Sequence, residues 1–151
     1  MSVQALINAM LDEADLIDEL LDAVVEQRES VKDGDHSVMQ GLMKRVQDIS
    51  FRVQAKENQR AALTESLSKE LGCEPYLSAL AQAVPTEERA LFTGSGERLG
   101  HSVFALKSEM AILSGIIEHN ERFSAMLLSE WRRLDAEFTY LPGSGGLDFR
   151  G

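Results

Sequence analysis

The residues able to do chemistry are few, and their spacing brings no reactive group together. His36, His101 and His119 lack metal-ligand spacing, among themselves or with Cys73, the single cysteine. His119 follows Glu118 directly, and adjacent residues on a helix do not face each other. All three histidines read as surface residues. Cys73 follows the end of a helix and reads as a small hydrophobe; a nucleophilic thiolate would need a basic partner in space, which sequence does not show. Gly94-Ser95-Gly96-Glu97-Arg98-Leu99-Gly100 has the outline of a phosphate loop. Its glycines fall at the wrong interval for a dinucleotide fingerprint, no strand precedes it, and no Gly-Lys-Ser/Thr follows. It reads instead as a loop in which Ser95 caps the helix that follows. The expectation is a protein with no catalytic residues, no metal and no cofactor, and not an enzyme.

Charge narrows the partners. The chain has 151 residues and a net charge of −10, which argues against nucleic acid, because phosphate binding needs clustered Lys and Arg. Residues 1–35 hold ten acids against Arg28 and Lys32, whereas residues 36–72 hold six bases against four acids. An acidic first helix is therefore expected to pair with a mildly basic second one, alongside a solvated acidic face. Apolar runs are only a few residues long, so no membrane insertion is expected. Met1-Ser2-Val3-Gln4 has no basic stretch before an apolar core, and one cysteine cannot form an internal disulfide. A cytoplasmic location is the default.

The elements expected to carry these residues are helices. Val3, Met10, Ile17, Val24 and Val31 recur every seventh position, with Ile7, Ala14 and Leu21 as companions. That is coiled-coil-like seam spacing and predicts a helix over 3–31. Asp33-Gly34-Asp35 breaks it, and Ser37 with Gln40 has capping-box spacing. Met39, Leu42, Val46, Ile49, Val53, Leu63 and Leu67 predict a second helix over 36–71, ended by Gly72. Lys56 and Arg60 interrupt this stripe and either end a packing layer or pair with acids of the first helix. Short helices are expected over 75–83 and 86–92. Leu99, Leu106, Leu113, Asn120, Leu127 and Leu134, with Val103, Met110, Ile117, Ser124, Trp131 and Phe138, predict a long helix over 97–139. Asn120 either fixes register as a lone polar seam residue or sits at the seam's edge. Pro142 and the glycines after it stop the helix. The fold class is all-α: an elongated antiparallel bundle of three long helices, with short helices in the middle segment. Residues 1–141 form one domain and 142–151 a flexible tail.

Binding surface is expected on the second half of the last helix. Phe123, Met126, Leu127, Leu128, Trp131, Leu134 and Phe138 cover a wider arc than one helix contact requires, as either a helix packed between two neighbours or one that keeps a face for a partner would. A helix over 97–139 would be about 64 Å long against about 44 Å for the first, leaving apolar surface without an internal partner. Phe123, Met126, Leu127, Trp131, Leu134 and Phe138 are the candidate partner-binding residues, with Trp131 and Phe138 as anchors.

The order and spacing of Leu20-Leu21, Glu26-Gln27-Arg28, Asp35, Leu42, Lys44, Lys56-Glu57, Arg60, Leu63, Leu67 and Leu71-Gly72 resemble the FlgN-type flagellar export chaperones. So do Asn120, Leu127-Leu128, Leu134 and the ending Phe138-Thr139-Tyr140 before Gly143. The resemblance covers most of the chain. Family members often carry a second Asn near the first, where this chain has Phe123 or Ser124. The resemblance implies a cytoplasmic chaperone without ATPase activity. Such a chaperone binds hook–filament junction proteins and keeps them from assembling before type III secretion. It also implies that Tyr140 and Leu141 contact the membrane export gate. A second copy of the chain is a further candidate partner. The alternative reading is a self-associating coiled-coil structural or adaptor protein.

Overall fold

The computed structural model describes residues 2–118, 129–130 and 132–136. Four helices follow one another: α1 (Ser2–Asp33), α2 (His36–Leu71), α3 (Leu77–Ala83) and α4 (Thr86–Glu118). The architecture is an all-α bundle of three long helices with one short helix between the second and third. No strand occurs among the described residues.

The turn between α1 and α2 follows from three residues. Gly34 takes the left-handed conformation at φ 71°, and its N–H donates to the Ser30 carbonyl. The Asp35 carboxylate then accepts the Val38 N–H at 3.1 Å and caps α2. The Ser37–Gln40 capping box therefore does not form. Asp35 reaches the orphan amides first, and Ser37 lies inside the helix. At the far end Gly72, at φ 68°, closes α2, with its N–H on the Ser68 carbonyl.

α1 is the central helix, packing along its length against both α2 and α4. Polar side-chain pairs across the seams give the directions. Glu26–Arg45, Glu19–Arg52 and Glu13–Arg60 run α2 antiparallel to α1. Arg98 meets Asp15 and Asp18, and Glu109 meets Arg28, so α4 runs parallel to α1. The expected pairing of an acidic first helix with a basic second one is present, and α4 extends it. The heptad positions explain why α1 can serve two neighbours. Val3, Ile7, Met10, Ala14, Ile17, Val24 and Val31 are buried, and so are Leu6, Leu20 and Ala23 beside them. The buried arc is wider than one seam requires.

The middle of the chain departs from expectation. Residues 94–96 are helical, and α4 runs unbroken from Thr86. Three glycines between 94 and 100 cost about 1 kcal/mol each in a helix interior. Burial of Phe92, Ser95 and Leu99 on one face offsets that cost. Ser95 is not a cap: its hydroxyl donates to the Phe92 carbonyl at 2.8 Å within the helix. α3 begins at Leu77 rather than 75.

The expected straight helix over 97–139 is also overturned. Lys107 Nζ lies 3.6 Å from Asp135 Oδ1, whereas a continuous helix would separate them by about 42 Å. The chain returns to the bundle, and residues 132–136 form a helical stretch there. The extra reach inferred from helix length is therefore absent.

A candidate partner-binding surface

The returning stretch is the element nearest to a partner site. Leu134 is 0% exposed and belongs to the main core cluster with α1, α2 and α4. Arg133 lies beside Ser50, Phe51, Gln54, Ala55 and Asn58 of α2 and pairs with Glu130 one turn earlier. Asp135 reaches Lys107 of α4. The stretch thus reaches both helices that flank α1. Among the expected partner-binding residues, Leu134 is the one described. Phe123, Met126, Leu127, Trp131 and Phe138 lie outside the described residues, as do Asn120, Tyr140 and Leu141.

A buried charged cluster sits level with the α1–α2 seam. Arg60, 4% exposed, donates through Nε to Glu13 at 3.1 Å and through Nη2 to Glu57 at 2.6 Å. Glu13 is fully buried, and its second carboxylate oxygen has no hydrogen-bond partner. Burial pushes the Glu13 pKa up to about 9, helped by the neighbouring Glu57 carboxylate and opposed by Arg60. That shift favours the neutral form of Glu13 and leaves Glu57 as the main counter-charge to Arg60. A shifted carboxyl in a cleft would suggest catalysis. Here no substrate can reach it, because the helices close over it. It lies in the seam, where Arg60 of α2 meets Glu13 of α1 and Glu57 of its own helix. The sequence marked Arg60 and Lys56 as seam interruptions. Both pair with α1 acids, Lys56 with Asp12 at 3.3 Å, and only Arg60 is buried.

No group of three or more His, Cys, Asp or Glu side chains is placed to hold a metal ion among the described residues. No described helix is long and apolar enough to cross a membrane. The described exposed aromatics include Phe51, 82% exposed, and Phe104, 70% exposed. Sequence reasoning passed over both. Their positions off the heptad stripe were the available signal.

A family model described as FlgN protein matches residues 1–143. The chain belongs to the FlgN family. That is a family of flagellar export chaperones rather than of enzymes, and its members bind flagellar export substrates. No curated protein and no solved structure matches this FlgN chain.

Proposed function

We propose that this FlgN chain is a cytoplasmic type III export chaperone for hook–filament junction proteins. It holds their helix-forming ends through Phe123, Met126, Leu127, Trp131, Leu134 and Phe138 and prevents assembly before secretion. The burial of Leu134 in the core is the observation that shapes the mechanism. α1–α2 and α1–α4 are long seams with many buried side chains. The 132–136 stretch contributes one buried apolar side chain, with ion pairs at its edge. Among the described residues it is held by the fewest buried apolar side chains, which suits exchange for a foreign amphipathic helix. A substrate that contacts Leu134 must first take it from the bundle. That competition keeps net affinity moderate, as a complex dismantled at an export gate requires. Tyr140 and Leu141 follow as contacts for the gate, and Asn120 as a register residue within the last segment.

The test is titration of the full chain with a purified junction protein. Trp131→Ala and Phe138→Ala should each weaken binding at least about tenfold, as hot-spot truncations do. Substrate should also raise hydrogen exchange in residues 132–136. Unchanged affinity in both variants would remove the last segment as the dock.

A further inference from the structure

We propose that the outward face of α4, centred on Ser108, is the contact between two copies of this chain, packed antiparallel about a two-fold axis at that residue. The face lies opposite the buried side of α4. Phe104 is 70% exposed and Ile112 47%. His101, Ser108 and Ala111 are exposed around them, and Ala105 and Gly115 are half-buried. Between residues 99 and 117 the only Asp, Glu, Lys or Arg residues are Lys107 and Glu109. Both sit at the flanks and are engaged within the chain, Lys107 with Asp135 and Glu109 with Arg28. Two copies carrying −10 each repel. They can approach through a surface whose charges are absent or already paired, and this face of α4 is such a surface.

The arrangement of residues selects a second copy over an unrelated helix. Phe104 and Ile112 each lie one helical turn from Ser108, on opposite sides of it. Ala105 and Ala111 are equally spaced about it, and so are His101 and Gly115. With the two-fold axis at Ser108, Phe104 meets the partner's Ile112 and Ala105 meets the partner's Ala111. His101 falls over the partner's Gly115, a large residue opposite a small one. An isologous contact requires this self-complementarity, and a foreign helix would not impose it. Ser108 does not leave a polar orphan at the axis, because its hydroxyl donates to the Phe104 carbonyl at 2.9 Å. The contact spans about four turns, so the dimer should be weak and dependent on concentration. It leaves the 132–136 stretch free for its own partner.

Sedimentation velocity of the full chain from about 1 µM to about 300 µM should show a monomer–dimer equilibrium within that range. Phe104→Glu should hold the chain monomeric throughout while its melting temperature stays unchanged, since Phe104 is exposed. In a Cys73→Ser background, Ser108→Cys should form a disulfide-linked dimer on mild oxidation, and Ser37→Cys on α2 should not. A chain monomeric at every concentration, with no Ser108→Cys cross-link, would overturn the proposal. Equal dimerisation in Phe104→Glu would overturn it as well. So would a Phe104→Glu variant that self-associates normally but loses a junction protein, because the face would then belong to the substrate. The Trp131→Ala titration tests the chaperone reading separately.

Discussion

The Lys107 ammonium lies 3.6 Å from the Asp135 carboxylate. At that distance α4 and the 132–136 stretch lie side by side. The pair is partly exposed, so its own contribution is modest, about 0.2–1 kcal/mol. Its effect should be local. Lys107→Glu should speed hydrogen exchange in residues 132–136 several-fold and shift the global melting temperature little. Combining it with Asp135→Lys should restore protection. Exchange unaltered by the single charge reversal would show that the Lys107–Asp135 pair does not hold the stretch.

Leu134 sets the larger energy. Leu134→Ala removes a fully buried side chain from the core cluster and should cost about 2–5 kcal/mol, less if the stretch detaches instead of leaving a cavity. Thermal unfolding distinguishes the two. A lowered melting temperature with a native amide spectrum for 132–136 reports a cavity. Loss of that helix signal, with the α1–α2–α4 transition nearly unchanged, reports detachment. An unchanged melting temperature and an intact helix signal together would contradict the observed burial.

Much of this organisation was legible in the sequence, for reasons that show where legibility ends. Val3, Met10, Ile17, Val24 and Val31 sit at heptad spacing, and burial of one helix face imposes that period wherever the helix packs. Asp35 and Gly72 mark ends because few other residues satisfy an amide cap or a left-handed turn. Two failures share a different cause. Gly94-Ser95-Gly96 has loop composition, yet burial of Phe92 and Leu99 outweighs local propensity. The heptads from Leu99 to Leu134 keep their phase through a change of direction. Periodicity records which face is apolar, and it carries no information on whether the chain turns back. Leu134 therefore looked like surplus surface when it is core. Phe104 and Phe51 went unnoticed because stripe-counting follows the buried face and ignores the opposite one.

The N-cap of α2 offers a simple stability test. Asp35→Ala removes the acceptor for the Val38 N–H and should cost about 1 kcal/mol in denaturant unfolding. Asp35→Asn and Asp35→Ser should recover most of it. Equal loss in all three variants would assign the effect to the carboxylate's charge near the helix start instead of the cap bond.

Glu13 makes the strongest prediction about pH. Its folded pKa is raised to about 9, against about 4.3 for an unfolded glutamate. Between those values the folded protein holds a proton that the unfolded chain releases. Stability from this group is fully present below about pH 4 and declines as pH rises toward 9. Glu13→Gln keeps the shape and the neutral state at every pH, so it should abolish the decline. The stability of Glu13→Gln relative to the unsubstituted chain should therefore increase steadily from pH 5 to pH 9 in denaturant titrations. Most other carboxylates cancel in that difference. A difference independent of pH would mean that Glu13 is ionised in the fold and paired to Arg60. In that case Arg60 would bridge two carboxylates at neutral pH, and Arg60→Met would strand both charges. With Glu13 neutral, Arg60→Met leaves Glu57 alone to regain solvent, and Glu57 is already partly exposed. The loss should then stay below the 3–5 kcal/mol expected when a buried pair is broken on one side.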